Sequence, residues 1–263
     1  MESFRNKGIK DIIAEFPKIG DILEEYGIGC GPCTVGICEL KDILEIHQLE
    51  PEHEQELMAR IEDAIYPERK INIPDKTGSS VTAEEPLLYS APMQKLVDEH
   101  IFIKRWLALI PLVVENMDLT TDKGMKIVRE GVDLIRFYAD RFHHEKEEGI
   151  LFTCFDDTSD IFQVIYEDHR QARNHVKAML AGLETKDETV LKQHLADYRS
   201  LLTEHIKKED EVLFPWLDRK LTEKQVTELT NKFNLADMQI GIDVEKYRLF
   251  LQQLEEQKGE GDR

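Results

Sequence analysis

Two ten-residue segments, about sixty residues apart, restrict the fold more than any other feature of the chain. The first is His143-His144-Glu145-Lys146-Glu147-Glu148-Gly149-Ile150-Leu151-Phe152. The second is His205-Ile206-Lys207-Lys208-Glu209-Asp210-Glu211-Val212-Leu213-Phe214. They agree in His, Lys, Glu, Leu and Phe at the first, fourth, fifth, ninth and tenth places. In each, a Glu follows the His by four residues. On a helix that spacing puts both side chains on one face, about one turn apart. An imidazole and a carboxylate on one face, present twice, is how helices of a bundle offer metal ligands to a shared interior.

The rest of the chain supplies the helices for such a bundle. Four long apolar periodicities run from about Pro92 to Asn116, Thr121 to Gly149, Ser159 to Gly182 and Lys186 to Phe214, where Pro215 follows. Gly182 is placed to cap the third. Thr222 to Phe233 and Val244 to Gln257 read as accessory helices, and Gly259 to Arg263 as a frayed tail. No alternating strand pattern occurs, so the expected class is all-α, an up-down four-helix bundle. Upstream, Ile9, Ile12, Ile13 and Phe16, then Ile19, Ile22, Leu23 and Tyr26, mark short helices. Leu40, Ile43 and Leu44, then Leu57, Met58, Ile61 and Ile65, mark two more around Pro51. The expected division is a small helical domain over 1–66, a Pro/Gly/Ser-containing linker over 67–89, the bundle over 90–220, and accessory helices and tail over 221–263.

Six residues are candidate metal ligands: His100, His143, Glu147, His169, His205 and Glu209. Each lies on the apolar stripe of its helix. His100 is flanked by Leu96, Val97, Ile103 and Leu107, and His169 by Phe162, Ile165 and Val176. A single inward His is ordinarily a satisfied core residue. Four of them with two inward Glu, in a repeated spacing, exceed what packing requires, because a core-directed carboxylate is costly unless protonated, paired or metal-bound. The order also repeats: Asp98-Glu99-His100 precedes His143 and Glu147, and Glu167-Asp168-His169 precedes His205 and Glu209. Four imidazoles and two bridging carboxylates suit a pair of iron ions with positions left for a small ligand.

The second helix offers a rival register, because His144 and Glu148 share the four-residue spacing. The match of Lys146-Glu147 with Lys208-Glu209 selects His143 and Glu147. Glu148 and Asp210 then lie about 100° round the helix and are expected to be solvated. His175 falls off the ligand face and reads as a surface residue. His194, three turns from His205 on its face, reads as core or accessory. His47 and His53 belong to the small domain.

Three of the four cysteines crowd into Cys30-x2-Cys33-x4-Cys38, on a loop with four glycines and a proline between Gly27 and Cys38. Soft thiolates at that spacing select an iron–sulfur cluster, Zn²⁺ or thiol redox exchange. His47 or a small thiol is available as a fourth ligand. Cys154 reads as a packed core thiol.

The formal charge of −19 argues against nucleic acid and anionic membrane as partners. No apolar run approaches the roughly 20 residues of a membrane span. The segment Met1 to Lys7 lacks a signal-peptide core, so a cytoplasmic location is expected.

The elements around His100, His143-x3-Glu147, His169 and His205-x3-Glu209 resemble the hemerythrin-like, HHE cation-binding domain over about 92–216. The resemblance implies a four-helix bundle with a non-haem di-iron centre (Fe²⁺/Fe³⁺) and bridging carboxylates. Hemerythrins proper carry five His. Four stand at matching places here with nothing obvious for a fifth, which is similar to the repair-of-iron-centres branch with its four His and two Glu. The run from Phe16 to Cys30 is similar to the small domain attached to that branch, whose cysteines are adjacent; here Gly31-Pro32 separates Cys30 from Cys33.

Three functions compete. The first is binding or reduction of O₂ or NO at the di-iron centre, in oxidative or nitrosative stress, with electrons from the cysteine domain or an iron–sulfur or redox protein. The second is an iron donor for cluster repair, or a sensor without turnover. The third is a structural helical adaptor. Turnover of O₂ or NO separates the first two, and metal content separates both from the third.

Overall fold

A computed structural model of the protein describes residues 2–26, 28, 39–41, 43, 49, 51–74, 88–155 and 160–261. Cys30, Cys33, Cys38 and His47 lie outside the described residues, as does most of the expected linker. The class is all-α: among the described residues there is no strand, and one antiparallel bridge joins Gly8 to Glu39. The chain divides into two compact units, Met1–Leu88 with Val212–Arg219, and Tyr89–Glu211 with Lys220–Arg263.

The first unit contains α1 (Glu2–Arg5), α2 (Ile9–Glu15), α3 (Lys18–Glu25) and α4 (Pro51–Ile65). The stripes foreseen for these helices meet in one core. Ile9, Ile12, Ile19, Ile22 and Leu23 pack with Leu57, Ile61 and Ile65, and Leu40 and Ile43 join them.

The second unit is built on four long helical stretches. They are α5 (Ala91–Glu115); α6 (Asp122–Asp133), which continues as π-helix over Leu134–His144 and Glu147–Leu151; α7 (Asp160–Thr185); and α8 (Glu188–Lys208), which continues as π-helix over Glu209–Leu213. The chain continues through α9 (Phe214–Lys220), most of which is grouped with the first unit, and returns to the second with α10 (Glu223–Ile240) and α11 (Val244–Gly261). Side chains cap the starts: Thr121 Oγ1 accepts the Gly124 N–H at 3.1 Å, and Asp187 Oδ1 accepts those of Thr189 and Val190 at 3.0 and 3.1 Å. Thr222 and Gln225 form a reciprocal capping box on α10, which ends at Gly241 with φ 58°.

The core runs the length of these helices. Trp106 and Ile110 of α5, Val128, Val132 and Ile135 of α6 and its continuation, Met179 of α7, and Leu191, Leu195 and Tyr198 of α8 are all buried. Each fully buried large aliphatic contributes roughly 1.5–3 kcal/mol, which allows a group of buried polar residues to be held in the same interior. The helix foreseen over Val244–Gln257 belongs to this core. Phe250, Leu251 and Leu254 of α11 join it, with the Phe250 ring 5.7 Å from Trp106, and Glu255 accepts from Arg105 Nε and Nη2, each at 2.9 Å.

Three expectations are corrected. Gly182 is inside α7 and caps nothing; a Cβ there would sit 3.1 Å from Leu191, so the glycine permits close approach of α7 and α8, and α7 ends three residues later at Thr185, followed by Lys186 with φ 54°. Pro215 does not end the fourth helix, which runs on to Lys220. It falls in the first turn after the π-helical segment, where a missing N–H is tolerated. The tail is helical to Gly261. Gly131, which lowers intrinsic helicity, has a packing reason: a Cβ would lie 2.3 Å from the Trp106 ring. Among the described residues, no helix is long and apolar enough to cross a membrane.

Candidate metal centre

Seven side chains converge inside the second unit: His100 from α5, His143, His144 and Glu147 from the π-helical continuation of α6, His169 from α7, His205 from α8 and Glu209 just beyond it. None is more than 1% exposed. They form two groups, His100–His143–Glu147–Glu209 and His144–Glu147–His169–His205, each with ligand atoms within 4.8 Å of one another. Glu147 belongs to both. Its Oε1 lies 3.1 Å from His143 Nε2 and 3.9 Å from His100 Nε2, while its Oε2 lies 3.5 Å from His169 Nε2. Glu209 Oε2 lies 3.2 Å from His100 Nε2 and 3.1 Å from His205 Nε2.

Both oxygens of Glu147 and Glu209, and His143 Nε2, have no hydrogen-bond partner among the described residues. Fully buried carboxylates in that condition cost several kcal/mol each unless a cation is beside them. Nitrogen and oxygen donors arranged around a shared carboxylate fit two transition-metal ions.

The same charges act on protons. Burial lowers the pKa of His143, but Glu147 and Glu99 outweigh it and raise the pKa from 6.5 to about 10. His205 is likewise depressed by burial and raised further by Glu209 and Asp168, to about 10. His169 is pushed well below its ordinary value by burial, with His144 and His205 adding to it. Burial also lowers His144. Burial would raise Glu209, but His205 and His100 hold it well below the usual carboxylate range.

A ring of carboxylates surrounds the cluster and fixes four imidazoles by their outer nitrogens. His100 Nδ1 faces Asp210 Oδ1 at 2.7 Å, His143 Nδ1 faces Glu99 Oε2 at 2.9 Å, and His169 Nδ1 faces Glu148 Oε1 at 2.5 Å. His205 Nδ1 faces Asp168 Oδ2 at 3.4 Å. Donation of each Nδ1 proton outward leaves the Nε2 lone pair directed at the cluster. Every one of these carboxylates also has a cation. Lys104 Nζ is 2.5 Å from Asp210, Arg173 is 2.7 Å from Glu148, and Lys208 is 2.8 Å from Asp168. The fully buried Lys146 pairs with Glu99.

The arrangement follows the sequence repeat. Glu99-His100-x3-Lys104 corresponds to Asp168-His169-x3-Arg173, and Lys146-Glu147-Glu148 to Lys208-Glu209-Asp210. Each half therefore supplies the partner for one of its own imidazoles and one of the other half's. Glu148 and Asp210, expected to be solvated, are instead 25% and 18% exposed and bonded to His169 and His100.

All six residues singled out from the sequence lie in the cluster. The seventh, His144, was passed over. Its ring stacks on that of His169 at 3.9 Å, neither of its nitrogens has a hydrogen-bond partner among the described residues, and Asp140 Oδ1 is 3.6 Å from its Nδ1. Its counterpart in the second segment is Ile206, so the repeat is broken here. The π-helix explains how neighbouring His residues both turn inward. A turn closed by i→i+5 bonds advances each residue through a smaller angle than the ~100° of an α-helix. Cys154 is half-buried rather than packed in the core, with its Sγ 3.7 Å from the Ile150 carbonyl.

Among curated proteins, the chain is similar to an uncharacterized protein of Mycobacterium bovis and to uncharacterized proteins of two Mycobacterium tuberculosis strains. Each is 22% identical over 169 residues, 61% of this chain. The alignment covers 66% of the length of these relatives, just under two thirds. No solved structure matches at a significant level. A family model does match, over the segment that carries all seven clustered side chains: residues 91–217 fit the hemerythrin HHE cation-binding domain.

Proposed function

We propose that residues 90–220 form an up-down four-helix bundle around a non-haem di-iron centre that binds or reduces O₂ or NO. The observation that carries this reading is Glu147, fully buried, with one oxygen toward His143 and His100 and the other toward His169. A carboxylate so placed could be shared by two ions. His100, His143 and Glu209 would complete one site, and His144, His169 and His205 the other. Iron there supplies coordination positions and electrons for a small diatomic ligand.

The chain's own residues do the rest. Asp210, Glu99, Glu148 and Asp168 hold the imidazole tautomers. With none of the seven side chains more than 1% exposed, bulk water is kept from the centre. We assign 1–66 as a separate small domain joined by the linker 67–89. In this reading Cys30, Cys33 and Cys38 hold an iron–sulfur cluster or Zn²⁺, or exchange thiols, and pass electrons from a redox partner in the cytoplasm.

The test is anaerobic purification with elemental analysis, followed by NO and O₂ electrode traces in the presence of a reductant. Two iron per chain and consumption over many turnovers are expected. Two iron with a single stoichiometric uptake would instead favour the donor or sensor role. One tightly held Zn²⁺ and no iron would overturn the di-iron reading.

A further inference from the structure

Away from the central cluster, α7 and α8 bring together His175, His194 and Asp197. Their ligand atoms lie within 4.8 Å of one another, and all three side chains are half-buried. His175 Nδ1 and His194 Nδ1 are 3.0 Å apart, with ring centroids 5.2 Å apart and the planes at 57°. His175 is six residues beyond His169, about 9 Å of helix rise. His194 and Asp197, three residues apart on α8, share a face.

We propose that this cluster is a second, separate metal site, for a borderline divalent transition ion such as Zn²⁺. The donor set is two imidazole nitrogens and one carboxylate oxygen, with a water for the fourth tetrahedral position. Ligand atoms around Zn²⁺ at roughly 2.0–2.1 Å stand ~3.3 Å apart, close to the observed nitrogen pair. The two nitrogens are already near that separation, so to take an ion the rings need only turn from facing one another to facing a common point beside them. Asp197 is the movable ligand. Both of its oxygens lie 2.9 Å from Gln193 Nε2, a neutral donor that can keep one while the other turns to the ion. Burial and the neighbouring His194 also lower the pKa of His175, which favours the neutral form a metal requires. Nitrogen ligands select against Ca²⁺ and Mg²⁺. An ion here ties α7 to α8, the two helices that present His169 and His205, without entering the central cluster.

The experiment is a Zn²⁺ titration of the full-length protein, read by calorimetry and by elemental analysis of both zinc and iron. His175→Gln, His194→Gln and Asp197→Asn are compared with the parent. The parent should take up one zinc per chain more than the His variants, with the iron content equal in all. Affinity at this site should fall at least ~10–100-fold in either His variant, the range seen when even a supporting partner of a metal ligand is lost. Asp197→Asn should weaken uptake less than either His variant. Zinc should raise the parent's Tm in a concentration-dependent way, and Mg²⁺ should not. Equal zinc uptake by parent and His variants would overturn the proposal, because the metal would then lie elsewhere. So would uptake that appears only as iron is displaced. No uptake beyond the central cluster in the parent would show that the two imidazoles form a hydrogen-bonded pair and nothing more.

Discussion

Glu148 Oε1 lies 2.5 Å from His169 Nδ1, on the side of the imidazole that faces away from the cluster. Arg173, one turn beyond His169, holds the same oxygen at 2.7 Å. The carboxylate is thus bound between a cation and a candidate ligand, although it comes from a different helix than either. Glu148→Gln keeps the shape and removes the charge that supports the ring. Iron affinity should fall about 10–100-fold, measured as iron retained against a competing chelator. Asp210→Asn should behave alike through His100. Glu145→Gln, an exposed neighbour, should match the parent. Wild-type retention in both Glu148→Gln and Asp210→Asn would show that the outer carboxylates do not support the ligands.

The bridging assignment is tested by Glu147→Gln and Glu209→Gln. Each removes an anion that has no hydrogen-bond partner among the described residues from among buried imidazoles. At least one iron per chain should be lost in each, along with the near-ultraviolet absorption of the oxidised pair. Full iron content in Glu147→Gln would rule out the bridge.

His144→Ile makes the first segment like the second, where Ile206 is already buried at the matching position. The two ions should respond unequally. The group containing His169 and His205 loses a ligand, while His100, His143, Glu147 and Glu209 are unchanged. About one iron per chain should remain, with the helix content of the parent by circular dichroism. Retention of both irons would return the site to the six residues legible in the sequence.

Those six were legible because they repeat. His143 and Glu147 stand in phase with His205 and Glu209, and an apolar stripe surrounds each. His144 was not, because at 100° per residue two adjacent positions do not share a face, and no residue pattern announces the change to π-helix at Leu134. The outer carboxylates were hidden for a different reason. Glu99 meets His143 across 44 residues and Asp210 meets His100 across 110, so the partners are set by helix packing rather than local spacing. Gly182 misled because a glycine near a helix end usually marks a cap, and here the neighbouring Leu191 decided its use. The helical class followed directly from the apolar periodicity.

The imidazole pKa values predict a pH dependence specific to the metal-free chain. Glu147 and Glu209 raise His143 and His205 from 6.5 to about 10 against the effect of burial. The folded state then binds these protons more tightly than the unfolded state. That stabilisation is complete below pH 6.5 and is lost as pH rises through 10. An ion takes the place of the protons and removes the dependence. The Tm of chelator-treated protein should therefore fall between pH 7 and 10 more steeply than that of the iron-loaded protein. Parallel curves would contradict the raised values.

Asp237 links the centre to a helix outside the matched segment. It sits on α10, and its two oxygens lie 2.9 Å from Lys146 and 2.5 Å from Lys95. Lys146 is fully buried, lies over the Phe142 ring at 3.5 Å, and also holds Glu99, the partner of His143. Lys95 is 32% exposed, so water can replace Asp237 there. Lys146 has no such exchange: without Asp237 its ammonium keeps, among the described residues, Glu99 and the face of the Phe142 ring, and the Glu99 charge is then drawn from His143. Asp237→Asn should cost about 1–3 kcal/mol, less than the ~3–5 of a fully buried pair because Asp237 itself is 24% exposed. The loss should appear in thermal denaturation of iron-loaded protein and should be accompanied by weaker retention of the ion on the His143 side. The corresponding Lys208 pairs with Asp168 at 2.8 Å and is 11% exposed, so Lys208→Met should be the milder change to stability than Lys146→Met. An Asp237→Asn protein with parental Tm and parental iron retention would show that α10 covers the centre without acting on it.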